Sequence, residues 1–261
     1  MLRNKFFYIL ISFFFSILIS YFQRITGPTY PIKGNVKINN SVVRFKFLKS
    51  CTLGDNCEIF FEGKIEGYVL YKKYRVDENY RKLDFVWDGK KSYVNLKLNL
   101  PKAAKIEYDV FIKNYYDYIK VNNKPVVIRF KGYVPPYFLI PHIIFMYLFF
   151  LLSTYLFLKL NFINEFSKKI FYFSFTSFIL GGFVFGPIVQ YYAFDCFWSG
   201  FPYGYDLTDN KTLLTLILWF LPIYFIIKNK PIKKYYNIAY LSLILMYLIP
   251  HSLYGSEYKF K

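Results

Sequence analysis

Five apolar runs of near-spanning length constrain this chain more than any other feature of its sequence. A helix needs about 20 predominantly apolar residues to cross a bilayer, and a soluble domain of this length does not carry so many such runs. The runs cover residues 6–22, 137–158, 170–192, 213–227 and 235–250. The sequence therefore predicts a membrane protein with five transmembrane helices, of which the fourth is short.

The first run predicts an N-terminal transmembrane anchor over residues 1–23. Arg3 and Lys5 precede its apolar core, as they would in a cleaved signal peptide. However, no small-x-small cleavage pattern follows before Arg24. A retained anchor is the favoured interpretation, and a cleaved signal peptide is the alternative.

A hydrophilic stretch, residues 24–135, separates the first run from the second and has the pattern of an all-β domain. Seven or eight short alternating runs are divided by turn residues such as those at 39–41, 54–56 and 88–89. This spacing predicts a two-sheet β-sandwich. Residues 100–110 resemble the corner and following strand of immunoglobulin or fibronectin-III domains. Residues 136–261 then form a bundle of four transmembrane helices with an aromatic and acidic loop at 193–211.

The short loops predict the orientation, because cytoplasmic loops carry an excess of Lys and Arg. Basic residues occupy the N-terminus and the connections at 159–169 and 228–234, whereas the connection at 193–211 carries three aspartates. The N-terminus is therefore expected in the cytoplasm of a bacterium. Residues 24–135 and the C-terminus are expected on the periplasmic side of the inner membrane.

The net charge of +18 raises the question of nucleic-acid binding. Residues 24–131 hold 22 Lys and Arg against 11 Asp and Glu, but these charges alternate with apolar residues along predicted strands. That pattern is typical of a solvated face rather than of a phosphate-binding stripe. The expected partners are the lipid bilayer and a protein bound by the outer domain, and nucleic acid is excluded.

Cys51 and Cys57 flank a turn-like stretch between two predicted strands, where a disulfide is geometrically reasonable. A disulfide needs an oxidising compartment, in agreement with the predicted orientation. Two unpaired thiols are the alternative.

The two histidines of the chain, His142 and His251, end identical Leu-Ile-Pro-His strings at the outer ends of two predicted helices. Ionisable groups at membrane depth indicate function by default. Two imidazoles with the carboxylates of Asp206, Asp209 or Glu257 are a donor set for a transition metal, and two imidazoles alone can hold a haem. The alternative is that each histidine is an interfacial residue bonded to a neighbour.

Plain structural roles compete with these functional ones. Asp206 and Asp209 have the spacing of a carboxylate capping box at the start of the fourth bundle helix. Aromatic residues of the loop suit the headgroup level of a membrane. Trp87, Tyr108 and the pair Tyr115–Tyr116 are either a binding platform or core and edge fillers. No nucleophile–base pair or phosphate-binding loop is present, so an enzyme is not the favoured interpretation.

Several strings resemble an uncharacterised group of bacterial inner-membrane proteins with an anchor, an immunoglobulin-like outer domain and a helical bundle. The strings are GPTYP at 27–31, VIRFKG at 127–132, GPIVQ at 186–190, DLTDNKT at 206–212 and IPHS at 249–252. The resemblance implies this architecture over nearly the whole chain and implies no activity.

Two functions follow from the sequence. In the first, the protein is an accessory or assembly subunit whose outer domain binds a partner. In the second, His142 and His251 hold a metal or haem for redox chemistry or metal handling. Transport is disfavoured, because the helices carry no charged residue in mid-membrane.

Overall fold

The computed structural model describes residues 2–38, 41–250 and 255–260, and the chain divides into two compact units. The helical unit comprises Met1–Pro28, Val134–Tyr192 and Cys196–Gly255. The β unit comprises Thr29–Tyr133, Ala193–Asp195 and Ser256–Lys261. The predicted combination of a helical part and an inserted β part is confirmed at this level.

Six α-helices and one π-helical segment make up the helical part of the described chain. They are α1 Leu2–Thr26, α2 Pro136–Phe162, α3 Lys168–Ile179, the π-helical segment Leu180–Phe185, α4 Gly186–Phe194, α5 Leu207–Ile227 and α6 Lys233–Leu248. Four stretches are long and apolar enough to cross a membrane: Phe6–Thr26, Pro136–Phe162, Lys168–Phe194 and Leu207–Ile227. Helix α6 has 16 residues, which is about 24 Å at 1.5 Å per residue. The fifth crossing therefore remains a prediction.

The third spanning stretch is not one regular α-helix, because it changes to π-helical geometry just before Pro187. Proline lacks the amide that would continue the α-helical ladder, and a π-bulge is one way to accommodate the loss. Glycines allow neighbouring helices to approach here. A Cβ atom on Gly181 would lie 3.0 Å from Met146 of α2, and one on Gly182 would lie 3.1 Å from Thr212 of α5.

The core of the helical unit is aromatic, with hydroxyl groups paired inside it. Trp219 of α5 packs against the rings of Phe149 and Phe171, with centroids 4.9 and 5.6 Å away. The hydroxyl groups of Ser153 and Ser174 lie 3.0 Å apart and join α2 to α3. The Tyr236 hydroxyl of α6 donates to the Ser153 carbonyl. Ring packing and internal hydrogen bonds together hold these helices.

The β unit contains eleven strands in the described residues. They are β1 Ile32–Ile38, β2 Ser41–Phe47, β3 Ser50–Thr52, β4 Glu58–Glu62, β5 Gly67–Lys73, β6 Arg81–Asp84, β7 Val86–Trp87, β8 Lys91–Asn95, β9 Lys105–Asn114, β10 Asp117–Lys120 and β11 Val126–Lys131. One sheet has the order β1-β2-β4-β8-β7, and the other has the order β3-β11-β9-β5-β6, with β10 paired to β9. All strand pairs are antiparallel except β3 with β11.

Alternation along the strands produces one buried face per sheet, as the sequence pattern predicts. Strand β9 turns Ile106, Tyr108, Val110 and Ile112 inward, where they are fully buried. The stretch 82–87, which the sequence pattern predicts as a single strand, is instead divided between the two sheets. Its first part is β6 and its last part is β7. The amide of Phe85, which lies between them, donates to the Gly67 carbonyl.

A disulfide joins Cys51 of β3 to Cys57, which lies just before β4, with a Cα–Cα distance of 5.8 Å. The enclosed turn has Gly54 at a φ of +90°, in the left-handed region that favours glycine. Both cysteines contribute to the buried core of the β unit. The disulfide therefore closes the turn that connects the two sheets, with β3 in one and β4 in the other.

Replacing the core residue Tyr108 by Phe should destabilise the β unit. Its hydroxyl donates to the Leu48 carbonyl at 2.7 Å, and burial raises the pKa of the phenol well above its usual value, so the group remains a donor. Without it the buried carbonyl loses its partner, at a cost of about 1–2 kcal/mol. Thermal unfolding of the full chain should show a midpoint several degrees lower. Tyr93→Phe, on the outer face of β8, is the matched control, and equal midpoints for both variants would contradict this role.

Candidate functional site

His142 lies in α2, next to Pro141, and its orientation is fixed by the π-helical segment. Its Nδ1 atom is 2.9 Å from the carbonyl oxygen of Gly181. A carbonyl only accepts hydrogen bonds, so Nδ1 carries the proton and Nε2 of the neutral ring has its lone pair. The Gly181 carbonyl also accepts from the Gly186 amide, five residues on. His142 is thus a half-buried, oriented imidazole between α2 and the π-helical segment.

His251 lies outside the described residues, so a site shared by the two histidines remains a prediction. The chain just before it is described. Ile249 accepts a hydrogen bond through its carbonyl from the Lys211 ammonium of α5, at 2.9 Å. The last described residues of α6 therefore lie beside the first turns of α5.

Asp206 and Asp209 come together at the start of α5, where both carboxylates are buried. Asp206 is the N-cap of α5, and its Oδ1 accepts from the Thr208 amide at 2.8 Å. This half of the capping-box interpretation is confirmed. The other half, in which the Asp209 side chain would accept from the Asp206 amide, is wrong, because that amide donates to the Ser199 carbonyl. Asp209 instead points into the preceding loop.

The Oδ2 atom of Asp209 is the centre of a polar cluster that holds this loop. It accepts from the amides of Ser199 and Gly200 at 2.6 and 3.0 Å. It also accepts from Nε2 of Gln190, in α4, at 3.0 Å. Gly200 also packs closely against Asp209, because a Cβ atom added to Gly200 would lie only 2.6 Å from the Cβ of Asp209. The cluster thus connects the end of α4, the loop and the start of α5.

Residues 196–205, here called the aromatic loop, are uncharged, although an aspartate lies on either side of them in the sequence. The side chains of Phe197, Phe201, Tyr203 and Tyr205 are 56, 68, 84 and 90% exposed. The sequence predicted an aromatic and acidic loop at 193–211 with three aspartates. Asp206 and Asp209 face inward, and Asp195 pairs with Lys102. The aromatic loop lies between these aspartates. Its outer surface is aromatic and uncharged.

Asp195 and Glu257 belong to the β unit, where each forms an ion pair. Asp195 pairs with Lys102 at 2.6 Å, and Glu257 pairs with Lys105. Burial lowers the pKa of the Lys105 ammonium, and the Glu257 carboxylate opposes that shift. The amide of Tyr258 donates to the Ala103 carbonyl. The segment 256–260 therefore packs on the β unit, and Glu257 has a structural partner there.

Within the described residues, no group of three or more His, Cys, Asp and Glu side chains lies close enough to hold a metal ion. Asp209 is in addition already occupied by hydrogen bonds. Hydrogen-bond donors from the loop and Gln190 surround its Oδ2, and those lone pairs are engaged. The predicted donors therefore divide into His142 beside the π-helical segment, the Asp206–Asp209 cluster, and Glu257 in the β unit.

The β unit also carries on its surface a group of four aromatic side chains, two exposed and two half-buried, that the sequence only partly indicated. We call this group, Tyr68, Phe111, Tyr116 and Tyr118, the tyrosine face. Tyr68 of β5 stacks on Phe111 of β9 and contacts Tyr118 of β10, both with centroids 5.1 Å apart. The Lys82 ammonium lies 4.6 Å from the Tyr68 ring centroid. Strand register brings Tyr68, Phe111 and Tyr118 together from three strands, and Tyr116 lies in the turn just before β10.

Tyr115 and Tyr116 form the turn that joins β9 to β10. Tyr116 is 96% exposed, and Tyr115 has a φ of +56°. A bulky residue at positive φ is strained, and such strain often accompanies function. The other platform candidates lie elsewhere: Tyr108 is in the core, and Trp87 is on β7 of the other sheet.

The lysines around the tyrosine face are each paired with a carboxylate. Lys82 pairs with Asp84 at 2.9 Å, and Lys120 pairs with Asp109 at 2.8 Å. Lys113 pairs with Glu66 at 2.8 Å, which raises the lysine pKa and lowers the glutamate pKa. The face is therefore aromatic and locally near neutral, although the β unit as a whole is basic.

Comparison with known proteins gives no match. No protein-family model, curated protein or solved structure is similar enough to count as one. The function must therefore be argued from the residues themselves.

The role of Asp209 can be tested by comparing Asp209→Ala with Asp209→Asn. The alanine variant leaves the Ser199 and Gly200 amides without their acceptor, at a cost of about 2–3 kcal/mol. The asparagine variant can place an oxygen at the Oδ2 position and should keep most of the loop structure. Limited chymotrypsin digestion, with cuts mapped by mass spectrometry, should show several-fold faster cleavage within residues 196–206 for the alanine variant only. Equal cleavage of wild type and both variants would contradict this role.

Proposed function

We propose that this protein is an accessory or assembly subunit of a bacterial inner membrane whose β unit binds a partner protein outside the cytoplasm. The tyrosine face carries this proposal. Tyrosine supplies a large, rigid contact area at low conformational cost and is enriched at interface hot spots. Tyr116, almost fully exposed on a strained turn, has no role in the core of the unit.

We further propose that the β unit is an immunoglobulin-like sandwich. Seven of the eleven strands can be labelled A to G in chain order: β2, β4, β5, β7, β8, β9 and β11. With these labels, one sheet contains the order A-B-E-D and the other contains the order G-F-C. This is the arrangement of immunoglobulin constant-type domains. The disulfide departs from their pattern, because Cys51 and Cys57 lie near each other in sequence instead of linking strands B and F. The strand order therefore supports the class, and the disulfide is specific to this chain.

The proposed orientation places the β unit in the periplasm and the N-terminus in the cytoplasm. The lysines of the connections at 159–169 and 228–234 support it. The Cys51–Cys57 disulfide supports it as well, because such bonds persist in oxidising compartments. Membership of the uncharacterised inner-membrane group, proposed from the short strings, agrees with this arrangement.

The docking proposal predicts site-specific crosslinking. A photoreactive phenylalanine analogue at Tyr116 or Tyr118, in intact cells, should give a discrete crosslinked product, because these side chains would lie within the interface. The matched control is Val86, which is 58% exposed on β7 of the opposite sheet. Tyr68→Ala should reduce the product several-fold by removing the ring that supports Tyr118. No product at Tyr116 or Tyr118, or the same product at Val86, would contradict the proposal.

A second candidate function, metal or haem binding, is favoured by the orientation of His142. Metal-bound histidines usually donate their other ring nitrogen to a carbonyl or carboxylate, and His142 makes this contact with Gly181. The free Nε2 position would then be the ligand, with His251 as the second one. Asp206, Asp209 and Glu257 are weaker candidates, because each already has hydrogen-bond or ion-pair partners.

Metal analysis and a visible spectrum of the purified full-length protein test this second function. If it is correct, the protein retains metal or shows a haem spectrum, and both His142→Ala and His251→Ala lose the signal. The proposed docking would remain intact in these variants, because the tyrosine face lies in the β unit. A colourless, metal-free wild-type protein would rule out the cofactor.

A further inference from the structure

The aromatic loop is held at the end of two helices that are long and apolar enough to cross a membrane. One spanning stretch, Lys168–Phe194, ends just before it, and the other, Leu207–Ile227, begins just after it. The connection is short, so its residues stay near the two helix ends. If these helices cross a bilayer, the loop lies at the boundary between hydrocarbon and water.

The surface of the loop has the composition that suits this boundary. Aromatic side chains with one apolar and one polar end concentrate at the headgroup level of membranes. Tyr203 and Tyr205 have this character and are 84 and 90% exposed. The carboxylates that follow the loop, Asp206 and Asp209, are buried beneath it, and Asp195, which precedes it, is paired with Lys102. The exposed side chains can therefore enter the interface without the desolvation of a charge.

The loop is also organised before any lipid contact. Asp209 binds the amides of Ser199 and Gly200, and Oδ1 of Asn210 accepts from the Phe201 amide at 2.6 Å. The Trp198 indole donates to the Phe201 carbonyl at 3.0 Å. A segment fixed in this way loses little conformational entropy when its side chains are buried.

We infer that the aromatic loop inserts its exposed aromatic side chains into the headgroup region of the bilayer and that Asp209 is the positioning residue for this insertion. The loop carries no charge, so its attraction to lipid is apolar and interfacial rather than electrostatic. Insertion should therefore be the same in zwitterionic and anionic membranes and should not depend on salt. This inference does not rest on the tyrosine face or on a cofactor.

Tryptophan reporters in the full-length protein can test the insertion. In a background of Trp87→Phe and Trp198→Phe, Tyr205→Trp places a reporter on the loop. This background gives up the indole bond to Phe201 but keeps the contacts of Asp209 and Asn210 with the loop amides. Tyr116→Trp in the same background is the matched control, because its position is equally exposed but lies in the β unit. Trp219 is kept in every variant, since it is fully buried and contributes a constant background.

The proteins are reconstituted in vesicles of phosphatidylcholine brominated either near the headgroup or near the chain end. We expect the Tyr205→Trp reporter to be quenched several-fold more than the Tyr116→Trp reporter, and more by shallow than by deep bromine. The same quenching is expected with added phosphatidylglycerol and at low and high salt. Adding Asp209→Ala should remove most of the difference, and Asp209→Asn should keep it.

Equal quenching at positions 205 and 116 would overturn the insertion. Quenching that appears only with phosphatidylglycerol at low salt would overturn the apolar mechanism. Quenching that is unchanged by Asp209→Ala would overturn the positioning role. An unchanged emission from the Tyr116→Trp reporter in each variant shows that the β unit remains folded.

Discussion

The helical unit depends on hydrogen bonds that it satisfies from within, because a buried polar group without a partner is costly. The carboxylate of Asp209 accepts from the loop and from Gln190. The imidazole of His142 donates to Gly181. Hydroxyl groups on α2, α3 and α6 bond to one another or to nearby carbonyls. Among the described residues of this unit, the buried Nε1 of Trp219 is an exception, because it has no hydrogen-bond partner. The Phe149 ring packs against the Trp219 ring with an angle of 67° between the two planes.

This constraint changes the meaning of the residues that first suggested a metal site. A buried carboxylate is costly unless donors surround it, and Asp206 and Asp209 turn inward to such donors and fix the loop. The loop then shows aromatic rings to its surroundings. The β unit differs, because aromatic residues are exposed on its outer surface. The two units therefore present different surfaces: an uncharged aromatic loop on one and the tyrosine face on the other.

Local patterns predicted the elements that depend on local chemistry. Apolar runs indicated the four stretches that are long and apolar enough to cross a membrane, and alternation indicated the strands. The spacing of Cys51 and Cys57 indicated the closed turn that the structure contains. The N-cap role of Asp206 was also readable, because capping needs only the first residues of a helix.

Features that depend on distant contacts were not predictable in the same way. The division of residues 82–87 between two sheets depends on strand pairing. The tyrosine face depends on the register of β5, β9 and β10, which places Tyr68 opposite Phe111. The ion pair of Glu257 joins residues that are far apart in sequence. The uncharged, glycine-containing loop before Asp209 gave some indication that its side chain turns inward. Its role as an acceptor could not be predicted, because that role depends on where the fold places the Ser199 amide.

Hydrogen exchange of the loop amides tests most directly the claim that buried carboxylates organise this end of the helical unit. Mass spectrometry of the full-length protein in detergent should find the amides of Ser199 and Gly200 protected in the wild type and exchanging much faster in Asp209→Ala. The detergent is the same in both samples, so a difference reports the carboxylate and not coverage by the micelle. Exchange at the rate of an unstructured peptide in the wild type, or identical protection in the two proteins, would contradict the account.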